Sequence, residues 1–256
     1  VRYQGDAVAA VAARTETAAD LALEAIEVAY ESVEGIFDPE EAMKPGARQV
    51  WPDRDNVFKR LVLEEGDVET GFDKADVIVE GTYQTPFIEP AFLEPEGAVA
   101  YQDFDGTMVV YASTQAPFED RMQIARALGI PQNMVRVITP AIGGGFGGKH
   151  EAHVQIHAAL LAQTTGLPVR IIRSREESIL THVKRVPITM HLKLGATDEG
   201  EFVAYRVKAI GDMGPYVNAG AIVMTAMASK AQRPYNIPNL FVEAYSVLTN
   251  NPISGA

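Results

Sequence analysis

Apolar residues with helical spacing alternate along this chain with short apolar runs that are typical of strands. Helices are predicted over Thr17–Tyr30, Pro117–Leu128, Glu151–Thr165 and Ala219–Lys230. Strands are predicted over Ala7–Ala13, Val77–Tyr83, Met108–Ala112, Val135–Thr139, Val169–Arg173, Thr189–Gly195, Phe202–Gly211 and Phe241–Leu248. Two hairpins, turning at Asp105-Gly106 and at Thr197–Gly200, interrupt the alternation. The pattern therefore predicts a fold between α/β and α+β, with mixed sheets, packed helices and two subdomains.

The stretch 37–59 separates two parts of this pattern. It carries three prolines, a glycine and mixed charges, and we predict an irregular linker there. We therefore place a domain boundary near residue 60, between an α/β region over 1–60 and a second region over 61–256. Because Val1 is not a start residue, we also expect the chain to be a piece of a longer protein.

Composition excludes several classes of protein. The chain has 256 residues, is 47% hydrophobic and carries a formal net charge of -12, so it has ample apolar material for a core. The acidic balance argues against nucleic acid or an anionic membrane as a partner held by bulk charge. No apolar run is long enough to span a bilayer. The absence of cysteine excludes disulfides, thiolate metal sites and a cysteine nucleophile, and we expect a cytoplasmic location.

The most informative stretch runs from Ile142 to His150 and contains five glycines. Glycine allows positive φ and a close approach of the backbone to a ligand. The stretch lies between a predicted strand and a predicted helix, whose N-terminus would offer unpaired N–H groups and a partial positive charge. Together these features favour binding of an electron-rich or anionic group.

Two nucleotide-binding patterns fit the glycine stretch in part. Gly143, Gly145 and Gly148 match the dinucleotide fingerprint, but Arg173 and its neighbours follow the next strand where an acidic residue is expected. A module that binds a phosphorylated dinucleotide therefore remains an alternative. The phosphate-loop pattern lacks its magnesium-binding Ser or Thr, because His150 occupies that position, and this disfavours nucleotide hydrolysis.

Three motifs in chain order resemble the molybdenum hydroxylase family, which includes xanthine dehydrogenases and aldehyde oxidases. They are the segment Phe92–Ala98 with its Leu-Glu-Pro core, Ser113-Thr114-Gln115 and the glycine run Gly143–Lys149. Residues 1–11, Leu167–Arg170 and Arg175–Glu177 are also similar to family segments in the same order, so the similarity covers essentially the whole chain. By this resemblance, residues 1–60 would end a hammerhead-like α/β domain and its linker, and residues 61–256 would begin the molybdenum-cofactor-binding region.

The resemblance implies a cofactor, partners and a reaction. The cofactor would be a molybdenum ion held by a molybdopterin, possibly as its cytosine dinucleotide. Iron–sulfur clusters and FAD would lie on partner domains or subunits, and the rest of the molybdenum subunit would be a further partner. The reaction would be hydroxylation of an aldehyde or N-heterocycle with oxygen from water, and the isolated chain would be inactive. Neither a catalytic residue nor a protein ligand to the metal is assigned within this chain.

The resemblance also implies site residues by position. In the family, backbone N–H groups that match Phe146 and Gly147 face the molybdenum ligands. The implied cofactor-binding residues are Gly144, Gly145, Phe146, Gly147, Gly148 and Gln115. The implied residues of the substrate pocket are His150, Ile88 and Glu89.

Two departures from the family pattern bear on the substrate. Purine-oxidising members have a glutamate where this chain has His150, and many members have Gln-Glu-His where this chain has Ile88, Glu89 and Pro90. These differences weaken a purine assignment and leave a specialised enzyme or a non-catalytic homologue open. We interpret the carboxylates of Glu89, Glu94 and Glu96 as a solvated loop, and His150, His153 and His157 as a polar helix start rather than a metal site.

Overall fold

The computed structural model describes residues 1–256. Its helices are α1 (Glu16–Glu24), α2 (Pro39–Ala42), α3 (Val68–Asp73), α4 (Pro117–Leu128), α5 (Val154–Thr165), α6 (Arg175–Thr181) and α7 (Gly220–Ser229). Its strands are β1 (Val57–Glu65), β2 (Val77–Thr85), β3 (Gly97–Gln102), β4 (Met108–Ala112), β5 (Val135–Ile138), β6 (Val169–Ile172), β7 (Lys184–Arg185), β8 (Ile188–Ala196), β9 (Phe202–Asp212), β10 (Leu240–Val247) and β11 (Ser254–Gly255). No helix is both long and apolar enough to cross a membrane.

The chain divides into two compact units, each built from two separate stretches. The first unit contains residues 3–34 and 89–183, together with Val1, and the second contains residues 35–88 and 184–256, together with Arg2. The predicted mixed fold with two subdomains is confirmed. The boundary near residue 60 stays a prediction.

The first unit is built on a four-stranded mixed sheet in the order β5-β4-β3-β6. Strand β3 is antiparallel to β4 and β6, and β4 is parallel to β5. Helices α4 and α5 pack on this sheet. Helix α5 approaches closely because it presents the fully buried Ala158, Ala159 and Ala162 toward the equally small Ala98 and Ala100 of β3.

Local signals at both ends explain why α4 matches its predicted bounds. Pro117 stands in the first turn, where its missing N–H costs nothing. Gly129 ends the helix with a φ of 68°, and the N–H of Ile130 bonds back to the carbonyl of Ala125.

The second unit is built on a five-stranded sheet in the order β1-β10-β9-β8-β2. Strands β9 and β10 are parallel, and its other three pairs are antiparallel. Helix α7 packs on β10, and Met224 lies so close to Gly211 of β9 that a Cβ there would be 2.4 Å from the Met224 sulfur. The lack of a side chain at Gly211 is what allows the helix to approach the sheet.

Two predictions near the N-terminus are wrong. Residues 7–13 form no strand, and α1 ends at Glu24 rather than at Tyr30. A strand that is apolar on both faces needs neighbouring strands, and none pairs with this stretch. Helix α1 has no buried residue, so its local cap at Thr15 is unsupported by packing, and it stays short.

Other differences concern short elements. The predicted linker 37–59 contains α2 and the start of β1, and the strand β1 and the helices α3 and α6 were not predicted. For α6 the sequence carried a usable signal, because Ser174 and Glu177 form a complete capping box. The helix predicted from Glu151 begins at Val154.

The packing of α4 leads to a testable difference between two of its side chains. Ile124 is fully buried in the core of the first unit, whereas Met122 is 48% exposed. We expect Ile124→Ala to lower the free energy of unfolding by about 2–5 kcal/mol, because it leaves a cavity. Met122→Ala should change it by less than about 0.5 kcal/mol. Urea denaturation followed by circular dichroism measures both, and equal effects would contradict this packing.

Candidate functional site

The glycine loop, residues 142–150, lies at the end of the first unit's sheet but does not run directly into a helix. Strand β5 ends at Ile138, and α5 begins only at Val154. The loop lies between a strand and a helix as predicted, but residues 151–153 separate it from the helix N-terminus. Strands β5 and β6 also lie at opposite edges of the sheet. In a dinucleotide-binding βαβ unit the two strands are parallel neighbours, so the fold disfavours that alternative.

One carboxylate oxygen fixes the first half of the loop. Oε2 of Glu94 accepts hydrogen bonds from the Gly143 amide at 2.7 Å, the Ser113 hydroxyl at 2.7 Å and the Lys149 ammonium at 2.8 Å. The backbone of Glu94 adds a further bond, from its amide to the Gly143 carbonyl at 3.2 Å. We call Glu94, Ser113 and Lys149 the clasp. It joins the segment before β3, the end of β4 and both ends of the loop.

The clasp is stabilised by charge as well as by hydrogen bonding. Lys149 is 1% exposed, and its ammonium also donates to Ser113 Oγ at 2.9 Å and lies 4.6 Å from the centre of the Phe92 ring. A buried ammonium requires such compensation. Burial raises the pKa of Glu94, but the hydrogen bonds from Lys149, Ser113 and Gly143 outweigh it and hold that pKa below its usual value. The carboxylate is therefore ionised at neutral pH.

Gln115 fixes the second half of the loop. Its side-chain oxygen accepts from the amides of Gly147 at 3.1 Å and Lys149 at 3.2 Å, and its own backbone amide donates to the Lys149 carbonyl at 2.8 Å. A Cβ at Gly145 would lie 2.5 Å from the same side-chain oxygen. The absence of a side chain at Gly145 is therefore required for Gln115 to reach the loop amides.

Phe92 forms the floor under the loop. Its side chain is fully buried, and a Cβ at Gly144 or Gly148 would lie 3.2 Å or 2.9 Å from its atoms. Above the floor the backbone takes positive φ at Gly144, Phe146 and Gly147. For Phe146, a φ of 50° is unusual, and its side chain is 75% exposed.

Two amides of the loop, at the partly exposed Gly144 and the exposed Phe146, remain available to a ligand, whereas Gly145 between them is buried. The N–H groups of Gly144, Gly145 and Phe146 make no hydrogen bond within the chain. Successive N–H groups at such a turn form a concave donor surface for electron-rich groups. The amide of Gly147 differs, because it is bonded to Gln115.

The interpretation of three glutamates as a solvated loop is wrong. Glu96 is 2% exposed, and Arg173 donates to its Oε1 at 3.2 Å. Burial raises the pKa of Glu96, but the nearby Ser178 hydroxyl and the charge of Arg173 outweigh it and lower that pKa. Glu89 is paired as well, since its Oε1 lies 2.6 Å from Nε2 of the fully buried His182. These carboxylates are held by partners that are distant in sequence, so composition alone could not place them.

The three histidines near the loop have separate environments. His150 Nδ1 lies 3.4 Å from a carboxylate oxygen of Glu119, and both side chains are partly exposed. His153 is buried with Nε2 3.2 Å from the Gly148 carbonyl, and burial, with the nearby charge of Arg173, lowers its pKa to about 4. Burial and Arg173 also lower the pKa of His157. No group of three His, Asp or Glu side chains is arranged to hold a metal ion.

Ile88 belongs to the second unit, where its backbone bridges to Arg185 and its side chain is 44% exposed. Glu89 and His150 belong to the first unit. Their assignment to a substrate pocket stays a prediction.

Asp120 is a buried acid that sequence analysis missed. It lies in the first turn of α4, where an acidic residue is ordinary, so nothing in the sequence distinguished it. The side chain is completely buried and accepts from Gln155 Nε2 at 3.1 Å. Burial raises its pKa to about 6, and the neighbouring Glu151 and Glu119 add to the shift.

Comparison with known proteins gives concordant matches. The model of the molybdopterin cofactor-binding domain family matches residues 50–256. A probable xanthine dehydrogenase subunit of Bacillus subtilis (strain 168) is 42% identical over 255 residues, covering 100% of this chain and 34% of that protein. The nicotinate dehydrogenase large molybdopterin subunit of Eubacterium barkeri is 44% identical over 256 residues, covering 100% of this chain and 60% of that protein. The chain thus spans less than two thirds of either relative.

The solved structures agree with the sequence matches. The aldehyde oxidoreductase from Desulfovibrio gigas superimposes with a TM-score of 0.92 and 26% identity, covering 95% of this chain and 27% of that chain. Quinoline 2-oxidoreductase from Pseudomonas putida 86 superimposes with a TM-score of 0.86 and 25% identity, covering 95% of this chain and 32% of that chain.

The buried acid at Asp120 predicts a pH dependence of stability. Its folded pKa of about 6 exceeds the usual value, so ionisation is unfavourable in the folded state. The resulting destabilisation is present above pH 6 and disappears as the pH falls through 6 toward 4, with a limit of roughly 3 kcal/mol. We therefore expect Asp120→Asn to raise the melting temperature at pH 8 more than at pH 5.

Thermal melts at both pH values check this expectation. Asp20→Asn, on the exposed face of α1, serves as the control and should shift neither melt. A melting temperature for Asp120→Asn that falls equally at both pH values would contradict the expected cost of ionisation.

Proposed function

Since this chain belongs to the molybdopterin cofactor-binding domain family, we propose that its glycine loop holds the molybdenum–pterin cofactor of a hydroxylase. The observation that carries the proposal is the pair of unbonded amides at Gly144 and Phe146, presented on a loop that hydrogen bonds to Glu94 and Gln115 hold in place. The clasp and Gln115 hold this geometry before any ligand binds, which reduces the ordering cost of binding.

The residues present fit such a cofactor. Its oxygen, sulfur and phosphate atoms are electron-rich acceptors, and the loop offers backbone N–H donors rather than carboxylates. Glu94, the carboxylate nearest the loop, is neutralised by Lys149, so it does not repel an anionic group. Gly144, Gly145, Gly147 and Gly148 allow close approach of the backbone. Gln115 would act indirectly, because its oxygen positions the loop amides.

When bound, the molybdenum–pterin group would supply the redox chemistry that hydroxylates a substrate with oxygen from water. This chain's part would be to bind and orient that group through the loop amides. The exposed ring of Phe146 would exclude water from one side of the site. His150, paired with Glu119, would contribute a hydrogen-bonding group to the substrate pocket.

The substrate class that we propose is an aldehyde or an N-heterocycle. Similar proteins include a nicotinate dehydrogenase subunit, a quinoline oxidoreductase and an aldehyde oxidoreductase. Ile88 and Glu89 are assigned to the same pocket by position. Because the similar proteins are much longer than this chain, we propose that the rest of the molybdenum subunit completes the site and that the chain alone is inactive.

The same family background supports further proposals about partners. Iron–sulfur and flavin domains or subunits would carry the electrons away, and the cofactor would be the plain molybdopterin or its cytosine dinucleotide. A cytoplasmic location would suit such an assembly. We also propose that residues 1–60 complete a preceding α/β domain and its linker and that residues 61–256 open the cofactor-binding region.

A glycine substitution tests the cofactor assignment. In the full-length protein, Gly145→Ala should displace Gln115, because the new Cβ would lie 2.5 Å from its side-chain oxygen. The molybdenum-to-protein ratio, measured by mass spectrometry of the metal, should fall at least about tenfold, the effect of losing a few hydrogen-bonded contacts.

The matched control is Gly97→Ala in the same unit. A Cβ there would meet Ile172 at an ordinary 3.5 Å, and molybdenum content should be unchanged. A full-length parent protein that contains no molybdenum would overturn the assignment. So would a Gly145→Ala variant that retains the parent's content.

A further inference from the structure

The turn that precedes the Leu-Glu-Pro segment is strained. Ala91 has a φ of 48°, a left-handed conformation that costs free energy for any residue with a Cβ. It shares this property with Phe146, at 50°, and these are the two non-glycine residues with positive φ in the protein. Such strain persists only where surrounding contacts impose it.

Glu89 and His182 supply those contacts. The Glu89 Oε1 atom accepts from the Ala91 amide at 3.1 Å and lies 2.6 Å from His182 Nε2. On its other side, His182 Nδ1 contacts the carbonyl of Ser178, at the end of α6. The imidazole is fully buried, so it connects the strained turn to a helix end without exchange with water.

The strained turn fits tightly against the glycine loop. A Cβ at Gly148 would lie 3.0 Å from Pro90 Cγ and 2.9 Å from Phe92 Cε1. The His182 ring lies 4.9 Å from the Phe92 ring. A shift of the turn by a few tenths of an ångström would therefore press on Gly148 or leave the loop without its floor.

We propose that His182 is a positioning residue for the cofactor loop. Through Glu89 it keeps the turn at Ala91 in its strained conformation, and this turn keeps Pro90 and Phe92 seated beneath Gly148. The link from loop geometry to the cofactor rests on the proposed function, whereas the link from His182 to the loop does not.

Removal of the His182 imidazole should have a local effect, because Arg173 neutralises Glu96, the other acidic neighbour of His182. Glu96 Oε1 lies 3.7 Å from His182 Nδ1 but is bound by Arg173 at 3.2 Å. Removal of the imidazole therefore does not leave Glu96 as an uncompensated buried charge. Glu89, which is 28% exposed at its side chain, can be solvated by water instead.

The test is amide hydrogen exchange of the full-length protein, parent and His182→Leu. The informative amides are those of residues 147–150, which are hydrogen-bonded within the loop or to Gln115. We expect their exchange to accelerate by about tenfold, the change for losing one close polar contact, while α5 amides exchange as in the parent. Glu89→Ala removes the carboxylate that contacts both His182 and the Ala91 amide. It should accelerate exchange of the same loop amides, and it provides the test if His182→Leu fails to fold.

A matched control and a rescue separate positioning from general destabilisation. His191→Leu removes another histidine–glutamate pair, with Nε2 2.8 Å from Glu40 Oε1, in the other unit, and should leave the loop unchanged. Adding Ala91→Gly to Glu89→Ala should restore slow exchange, because glycine adopts the turn without strain.

The outcomes distinguish this inference from the proposed function. Unchanged loop exchange in Glu89→Ala, or acceleration that Ala91→Gly does not reverse, would overturn the role of His182. Molybdenum content provides the second readout and should fall in Glu89→Ala and recover with Ala91→Gly. A parent protein without molybdenum would refute the proposed function, yet the exchange comparison would still decide the positioning role.

Discussion

The site depends on one carboxylate oxygen that satisfies three donors from separate parts of the first unit. Glu94 Oε2 binds the Gly143 amide, the Ser113 hydroxyl and the Lys149 ammonium. Without it, a buried ammonium would lack its counter-charge, at a cost of several kcal/mol. Without the ammonium, the two ends of the glycine loop would lose their common anchor. The loop's shape therefore depends on contacts with Glu94 and Gln115 from outside the loop as well as on its own glycines and Lys149.

This arrangement explains why the loop consists of glycine. The clasp, Gln115 and Phe92 occupy the space where side chains of Gly143, Gly144, Gly145 and Gly148 would lie. Rigid support from below and missing side chains above leave backbone amides as the binding surface. A surface made of amides carries no net charge, and it can hold an electron-rich group inside a chain whose formal net charge is -12.

Sequence analysis predicted much of the fold where local signals were strong and missed what depends on packing. Helix α4 was predicted to the residue because Pro117 and Gly129 mark its ends. The strand Ala7–Ala13 failed because a strand needs partners that the pattern cannot supply. In the site, Glu94 and Gln115 were located through motifs, but the burial of Glu94's partner Lys149 was not. His182 carries no local signal at all, since only the fold brings it to Glu89.

The central claim is that the amides of Gly144 and Phe146 are held open to receive the molybdenum–pterin group. The most direct measurement is residue-resolved amide hydrogen exchange of the full-length protein with and without bound cofactor. The account predicts that these two amides exchange rapidly without cofactor and become protected when it binds, while the amides of Gly147 and Lys149, already bonded to Gln115, change little. Equal exchange of the Gly144 and Phe146 amides in the two forms would contradict it.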